Sequence, residues 1–346
     1  MKSSISTKAS SAIALSLLSA ALLGTPASAQ EKVTLKAADW MPTIHDTQIQ
    51  GFNVMMKKAT ELSNGRIQFQ FYPAEQLGKG KDMLTLAQTG VADITNMAPA
   101  YISDKFPLSS VAELPSIYEG ACRGSYALLR MAQPGQPLYE GEFKPNGIRI
   151  LFVAALGSYR PMTATKKIDK LSEYAGLKMR TAGGPMDLTA QAMGATSIRM
   201  PGPDVLASLS RGTLDGVFWP LQSVRPWGLT KNLKYWTPNV GVGSFTVYYG
   251  MSEKAFAKLP KDLQKALVEA GEYATKNHCE FTDNNEEKTI AELKAAGITP
   301  IPAAPDDVKA LEAKFDGVYK QWAEGLDKRN RPGTQVLNSF RAEIKK

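Results

Sequence analysis

Residues 33–73 constrain the fold most. VTLKAADW, residues 33–40, alternates Val33, Leu35 and Ala37 against its other positions and reads as a strand. Asp46 or Thr47 can cap a following helix that carries Ile49, Phe52, Met56 and Ala59 on one face, and Gly65 stops it. RIQFQFYP then alternates Ile67, Phe69 and Phe71 against Gln68 and Gln70 and ends at Pro73. Strand, helix and strand in that order predict a parallel α/β unit.

Two distant segments extend this reading. LTLAQTGVADITNM, residues 84–97, and LASLSRGTLDGVFW, residues 206–219, each run from a leucine-bearing helix end through a glycine (Gly90, Gly212) to an aspartate three residues on (Asp93, Asp215) and into a short apolar strand. Taken as a repeat, they give two similar α/β lobes. Ligands of open α/β sheets sit beyond the carboxyl ends of the strands. Asn96 and Met97 of one lobe and Phe218 and Trp219 of the other would then line one cleft.

The chain opens MKSSISTKASSAIALSLLSAALLGTPASA: two lysines, an apolar run over residues 12–23, and the triplet Ala27-Ser28-Ala29. This pattern predicts a secretory signal peptide cleaved after Ala29. Removing 29 of 346 residues leaves 317, enough for two domains. The leader holds Lys2 and Lys8 and no acid, so the net charge falls from +8 to +6. That surplus is spread without long basic runs, which argues against a nucleic-acid partner and suits small anions. Cys122 and Cys279 are the only cysteines; after export they either pair or stay as buried thiols. With His45 and His278 as the only histidines and no HExxH or CxxC, no metal is expected.

From Lys254 the pattern becomes helical, with Pro260 near the start of a long run that can bridge lobes and break near Asn284. A last amphipathic helix packs Leu311, Phe315, Val318 and Trp322.

The candidate binding residue is Arg180, in GLKMRTAGG. It ends a segment in which Leu177, Met179 and Thr181 alternate with Lys178 and Arg180. A guanidinium is always charged, and its planar fork fits a carboxylate. Burying it unpaired costs several kcal/mol, so it awaits either a ligand carboxylate or a structural aspartate. Gly183 and Gly184 can bring backbone close to a ligand or merely turn the chain before the next helix. Arg160 follows the apolar run ILFVAA and would converge on Arg180 if their strands are neighbours. Trp40, Tyr101, Phe218, Trp219 and Trp227 supply aromatic surface near strand ends, either as cleft wall or as core. No GxSxG, P-loop or GxGxxG occurs, and Glu286 with Glu287 reads as a solvated face, so no catalytic residues or cofactor are expected.

SNGRIQFQFYPAEQLG, QTGVADITNM, GLKMRTAGGPMDLTAQAMGA, LSRGTLDG and LPKDLQKALVEAG follow in this order after a leader. Together they resemble the periplasmic substrate-binding proteins of TRAP (tripartite ATP-independent periplasmic) transporters, from Val33 to Ala323. The resemblance implies a two-lobed α/β periplasmic binding protein fold with chain crossovers and a long helix spanning both lobes. Lobe one would hold residues 30–157 and 245–284, and lobe two residues 158–244 and 285–346. It further implies a periplasmic monomer whose partners are a small organic acid and the integral-membrane subunits of a TRAP permease. The family's carboxylate-binding arginine corresponds to Arg180, and a second, upstream arginine corresponds to Arg160.

The sequence departs from that pattern where sugar-acid binders carry an asparagine and metal-bridging 2-oxoacid binders read DGxEW. Here the segment is DGVFWPL, with Trp219 and Phe218 at those places. Buried hydroxyls without partners cost about 1–3 kcal/mol each, so the expected cargo is a small monocarboxylate with an apolar or aromatic body. The expected binding set is Arg180, Arg160, Trp219, Phe218, Gly183, Trp40, Asn96 and Tyr101. Competing readings are a binding protein of another importer class, a ligand-presenting partner of a sensor kinase, and an exported enzyme, which would need a reactive triad or a metal.

Overall fold

The computed structural model describes residues 31–346, so the expected leader and its cleavage site lie outside the described residues. Eleven strands run through these residues: β1 (Val33–Ala38), β2 (Ile67–Tyr72), β3 (Ile94–Met97), β4 (Ile148–Ala155), β5 (Tyr159–Thr163), β6 (Lys178–Thr181), β7 (Thr196–Arg199), β8 (Gly216–Pro220), β9 (Tyr235–Trp236), β10 (Thr246–Ser252) and β11 (Thr299–Pro300). They form two sheets, ordered β2-β1-β3-β10-β4 and β11-β9-β5-β8-β6-β7. The helices between them are α1 (Asn53–Leu62), α2 (Met83–Thr89), α3 (Ala121–Met131), α4 (Pro185–Ala192), α5 (Val205–Ser210), α6 (Glu253–Lys258), α7 (Lys261–Asn284), α8 (Glu286–Ala295), α9 (Pro305–Asp327) and α10 (Gly333–Glu343). None is long and apolar enough to cross a membrane.

The internal repeat is structural. β1-α1-β2-α2-β3 and β6-α4-β7-α5-β8 share one course, with β1 parallel to β2 and β3, and β6 parallel to β7 and β8. Gly90 and Gly212 follow α2 and α5 at φ 75° and 68°, a left-handed turn that glycine adopts without strain. The aspartate three residues on then does the same job twice. Asp93 Oδ2 accepts the Lys36 amide at 2.7 Å while its own amide donates to the Lys36 carbonyl; Asp215 does this with Lys178, at 2.8 Å. Each carboxylate fixes where the third strand joins the first.

Each sheet takes its fourth strand from the far side of a crossover. The chain leaves β4 and within three residues enters β5, which pairs antiparallel with β8; it returns after β9 as β10, antiparallel to both β3 and β4. The two crossings hydrogen-bond to each other: Leu156 N to Phe245 O, Tyr159 N to Gly243 O, and Val242 N to Tyr159 O, at 2.8–3.0 Å. They form a short two-stranded strap between the lobes.

The third crossing is helical. α7 lies against β4, where a Cβ on Gly271 would stand 1.9 Å from the Leu151 carbonyl, so only glycine permits this approach. The helix ends at Asn284, and α8 restarts beside the second sheet. α9 buries Leu311, Phe315, Val318 and Trp322, the stripe expected from the sequence. Its Trp322 Nε1 donates to Ser110 Oγ, and α10 packs on α3, with Phe340 meeting Tyr118 just before α3. α10 therefore packs on the first sheet's side, while α9 also lies against α4 of the second; the sequence reading groups both helices with the second lobe.

One helical face differs from expectation. Residues 47–52 wind as a π-type turn before α1, and Asp46 makes no side-chain cap. The wider turn rotates the following residues. Phe52, Met55 and Ala59 point into the core, and Ile49 is 43 % exposed.

Cys122 and Cys279 form a disulfide between α3 and α7, which decides the pairing left open by the sequence. Asp283 completes this corner by accepting the amides of Ala121 and Cys122 at the start of α3. The bond closes a loop of 157 residues. Replacing both cysteines by serine is expected to cost about 2–5 kcal/mol, read as a lower urea midpoint with a steeper slope as the uncross-linked denatured chain expands. An unchanged midpoint would mean that packing alone holds α3 to α7.

Candidate functional site

β6 delivers Arg180 to the interface between the lobes with only 1 % of its surface exposed. Nε donates to the Met200 carbonyl at 3.0 Å, Nη1 has no partner, and the guanidinium carbon lies 4.6 Å from the Trp219 ring centroid. Among the described residues no Asp or Glu comes within ion-pair distance of it. The ring stabilises the cation by roughly 1–2 kcal/mol where water is excluded. That falls short of the several kcal/mol that removing a charge from water costs.

Aromatic rings from both lobes enclose the guanidinium. Trp40, just after β1, meets Tyr101 at 5.1 Å, Trp227 at 6.0 Å and Phe245 at 6.2 Å between centroids, and Trp227 meets Trp219 edge-on at 6.2 Å. Tyr101 follows β3, Phe245 precedes β10, and Trp219 lies on β8, so the strand ends and the strap build the box. Two hydrogen bonds seal it across the lobes. Gly202 N donates to the Tyr101 hydroxyl at 2.8 Å, and His45 Nε2 stands 2.9 Å from Ser223 Oγ. His45 Nδ1 accepts the Thr47 amide, which leaves the proton on Nε2 for Ser223. The box keeps about 10 Å³ of free space, no more than one water fills.

Burial pushes the Tyr101 phenol up, against the opposing pull of the nearby Arg180 charge and the Gly202 amide. Beneath Trp40, Asp39 is fully buried and accepts from Met41 N, Asn96 Nδ2 and the Tyr249 hydroxyl at 2.7–2.8 Å. Burial outweighs these donors and raises it to about 6. This network fixes the turn that presents Trp40.

The box thus gathers four of the eight expected residues: Arg180, Trp219, Trp40 and Tyr101. Asn96 belongs to the Asp39 network instead. Phe218 is fully buried on the core side of β8, because alternation along the strand sends it away from Trp219. Gly183, at φ 109°, makes room for Arg199, whose Nε a Cβ there would meet at 2.1 Å. Arg160 opens onto a separate cavity of about 480 Å³ behind the strap, with Ser158, Glu119, Gln222 and Glu286 among its walls. Burial lowers its pKa while Glu286 and Glu119 oppose the shift. This cavity is the larger, yet Arg180 does not line it. Tyr159, Phe245, Met41, His45 and Ser223 complete the box and were not anticipated. Tyr159 stands beside Arg160 and Phe245 ends the glycine-bearing stretch GVGSF, residues 241–245; these positions acquire meaning only once both segments are crossovers. Among the described residues, no three His, Cys, Asp or Glu side chains gather as metal ligands.

Two α/β lobes joined by three crossings, with a buried cation in the seam, define a two-lobed solute-binding protein. The chain belongs to the bacterial extracellular solute-binding proteins, family 7, whose model matches residues 41–325. A TRAP periplasmic solute-binding protein of Bordetella bronchiseptica, solved with (R)- and (S)-mandelate, is similar at 26 % identity over 90 % of this chain and 99 % of that one, with a TM-score of 0.81. A TRAP solute-binding protein of Rhodoferax ferrireducens with copurified benzoate is similar at 26 % identity over 91 % and 98 %, with a TM-score of 0.82. The ectoine-binding periplasmic protein TeaA of Halomonas elongata is 20 % identical over 283 residues, 80 % of each chain.

The two histidines give this region a pH signature. Burial lowers His45 to about 4 and His278 to about 3, from 6.5. Both stay neutral in the folded chain where the unfolded chain binds protons, so their contribution is present above pH 6.5 and is lost as pH falls toward 4. Asp39, raised to about 6, and Glu142, raised to about 7, act in the opposite sense. A comparison with His278→Asn isolates the histidine part. The stability difference between wild type and variant is expected to shrink by roughly 2–3 kcal/mol between pH 7 and pH 4 in urea titrations. A constant difference would mean that His278 titrates in the fold as it does in the unfolded chain.

Proposed function

We propose that this chain is a periplasmic receptor that captures a small organic acid with an aromatic or apolar body and hands it to the integral-membrane subunits of a TRAP permease. Arg180 carries the reading. It is a buried guanidinium with a free Nη1, roofed by Trp219 and lacking a counter-ion among the described residues. A ligand carboxylate is the group that would relieve it. The surrounding rings favour a flat or apolar body and offer few partners for sugar hydroxyls. The mandelate and benzoate held by relatives at 26 % identity support that choice. The relatives are solute-binding proteins.

In this reading the signal peptide ends at Ala29 and the protein works as a monomer. Residues 30–157 with 245–284, and 158–244 with 285–346, move as two bodies, the tail α10 excepted because it packs on α3. With about 10 Å³ free, the box admits no benzoate-sized ring unless the lobes part. Cargo enters an open form, its carboxylate meets Arg180, and closure brings Trp40 and Tyr101 onto its body. The Tyr101–Gly202 and His45–Ser223 bonds seal the closed form that the permease meets.

Thermal shifts of the mature protein against aromatic, aliphatic and sugar acids test this. At 100 times the dissociation constant, a binding acid adds roughly 2.7 kcal/mol of stability. Arg180→Ala is expected to abolish the shift. Arg180→Lys, which keeps the charge without the fork, is expected to weaken binding about tenfold. Stabilisation by sugar acids alone would refute the aromatic pocket.

A further inference from the structure

Tyr159 lines the box with 3 % of its surface exposed, and its phenol has no task in the closed fold. The strap fixes its backbone: its amide donates to the Gly243 carbonyl at 2.9 Å, and its carbonyl accepts from Val242 N at 3.0 Å. The return crossing fixes its ring, which lies nearly parallel to Phe245, at 15° and 6.3 Å between centroids. The Arg180 guanidinium stands beside its hydroxyl: burial pushes the phenol up, while the Arg180 charge and a hydrogen bond from that side chain pull it the other way. Burial wins, so the phenol stays protonated. A guanidinium carries donors only; it can take a lone pair of the phenol and cannot accept its proton. The buried phenols of Tyr174, Tyr248 and Tyr249 each bond a hydroxyl, a carbonyl or a carboxylate. That of Tyr159 reaches no such acceptor among the described residues.

We propose that Tyr159 is a ligand-binding residue: its phenol donates a hydrogen bond to the carboxylate that Arg180 holds, so the strap grips the acid's head group together with the second lobe. The inference rests on the carboxylate reading above and adds a second anchor to it. A carboxylate that meets Arg180 comes within reach of a phenol beside the same guanidinium, and it offers the acceptor that the phenolic proton lacks. The bond is charge-assisted, which makes it stronger than one between neutral groups. Ring and backbone are already anchored by the strap, so little side-chain freedom is lost when the bond forms. The contact is with the head group alone. It therefore adds affinity to every carboxylate alike and leaves the choice of body to the aromatic walls.

Calorimetric titration of the mature protein and of Tyr159→Phe with benzoate, phenylacetate, (R)-mandelate and cyclohexanecarboxylate tests the idea. Phenylalanine keeps the ring on Phe245 and the backbone bonds of the strap, and removes only the hydroxyl. For every acid that the wild type binds, affinity is expected to fall about ten- to a hundredfold, by factors that agree within about threefold, because the lost bond is to the group these acids share. A packing role for Tyr159 would instead give losses that follow the body. Infrared difference spectra on adding benzoate to the Tyr101→Phe protein read the same bond with Tyr159 intact: a tyrosine C–O band should move to the frequency of a hydrogen-bond donor. Tyr159→Phe affinities within about threefold of wild type, losses that differ between acids by more than about threefold, or an unmoved phenol band would each overturn the inference. If the acids bind wild type and variant alike, this inference alone fails. If the wild type binds no carboxylate at all, the reading it rests on fails and takes it along.

Discussion

An unpaired positive charge in a dry seam organises this molecule. Arg180 is held by the Met200 carbonyl and the Trp219 face, beside the Tyr101 and Tyr159 hydroxyls, with no counter-charge among the described residues, and this stabilises it less than water would. Everything around it either excludes water or keeps its donors directed: the Asp39 network positions Trp40, and the strap supplies Tyr159 and Phe245. Such a site gains most from a ligand that brings one negative charge and little else polar.

The lobes resemble each other because they repeat one course of strand and helix, down to an aspartate that clamps the same backbone pair in each. They are kept in register by three crossings of different stiffness. The strap is hydrogen-bonded along its length, whereas the helical crossing is interrupted at Asn285. On the first lobe's side, the disulfide and the Asp283 cap tie the end of α7 to α3.

The architecture was largely legible in the sequence, because alternation at period two and glycine-stopped helices are local signals. The match between 84–97 and 206–219 identified the repeat, and Arg180 stood out as a charge inside a buried-looking strand. The other expected residues divide by a physical rule. Trp40, Tyr101 and Trp219 come just after or at the ends of strands whose direction the repeat fixes. Phe218 lies outside the box because one step along β8 reverses the side chain, and Asn96 because a buried aspartate takes its amide. Arg160 opens behind the strap, a geometry that no spacing encodes. Tyr159 and Phe245 lie at the crossovers, where no periodicity exists to read. Ile49 faced solvent because a π-type turn added a fraction of a residue per winding, which pattern counting takes as zero.

The exchanged fourth strands have a consequence for biogenesis. β10 lies between β3 and β4 in the first sheet, yet it is synthesised after most of the second. Until residue 252 has emerged, the first sheet has two separated pieces with open edges, and no amino-terminal fragment can complete its core. Late closure of this kind would suit a chain exported unfolded, as the proposed leader implies.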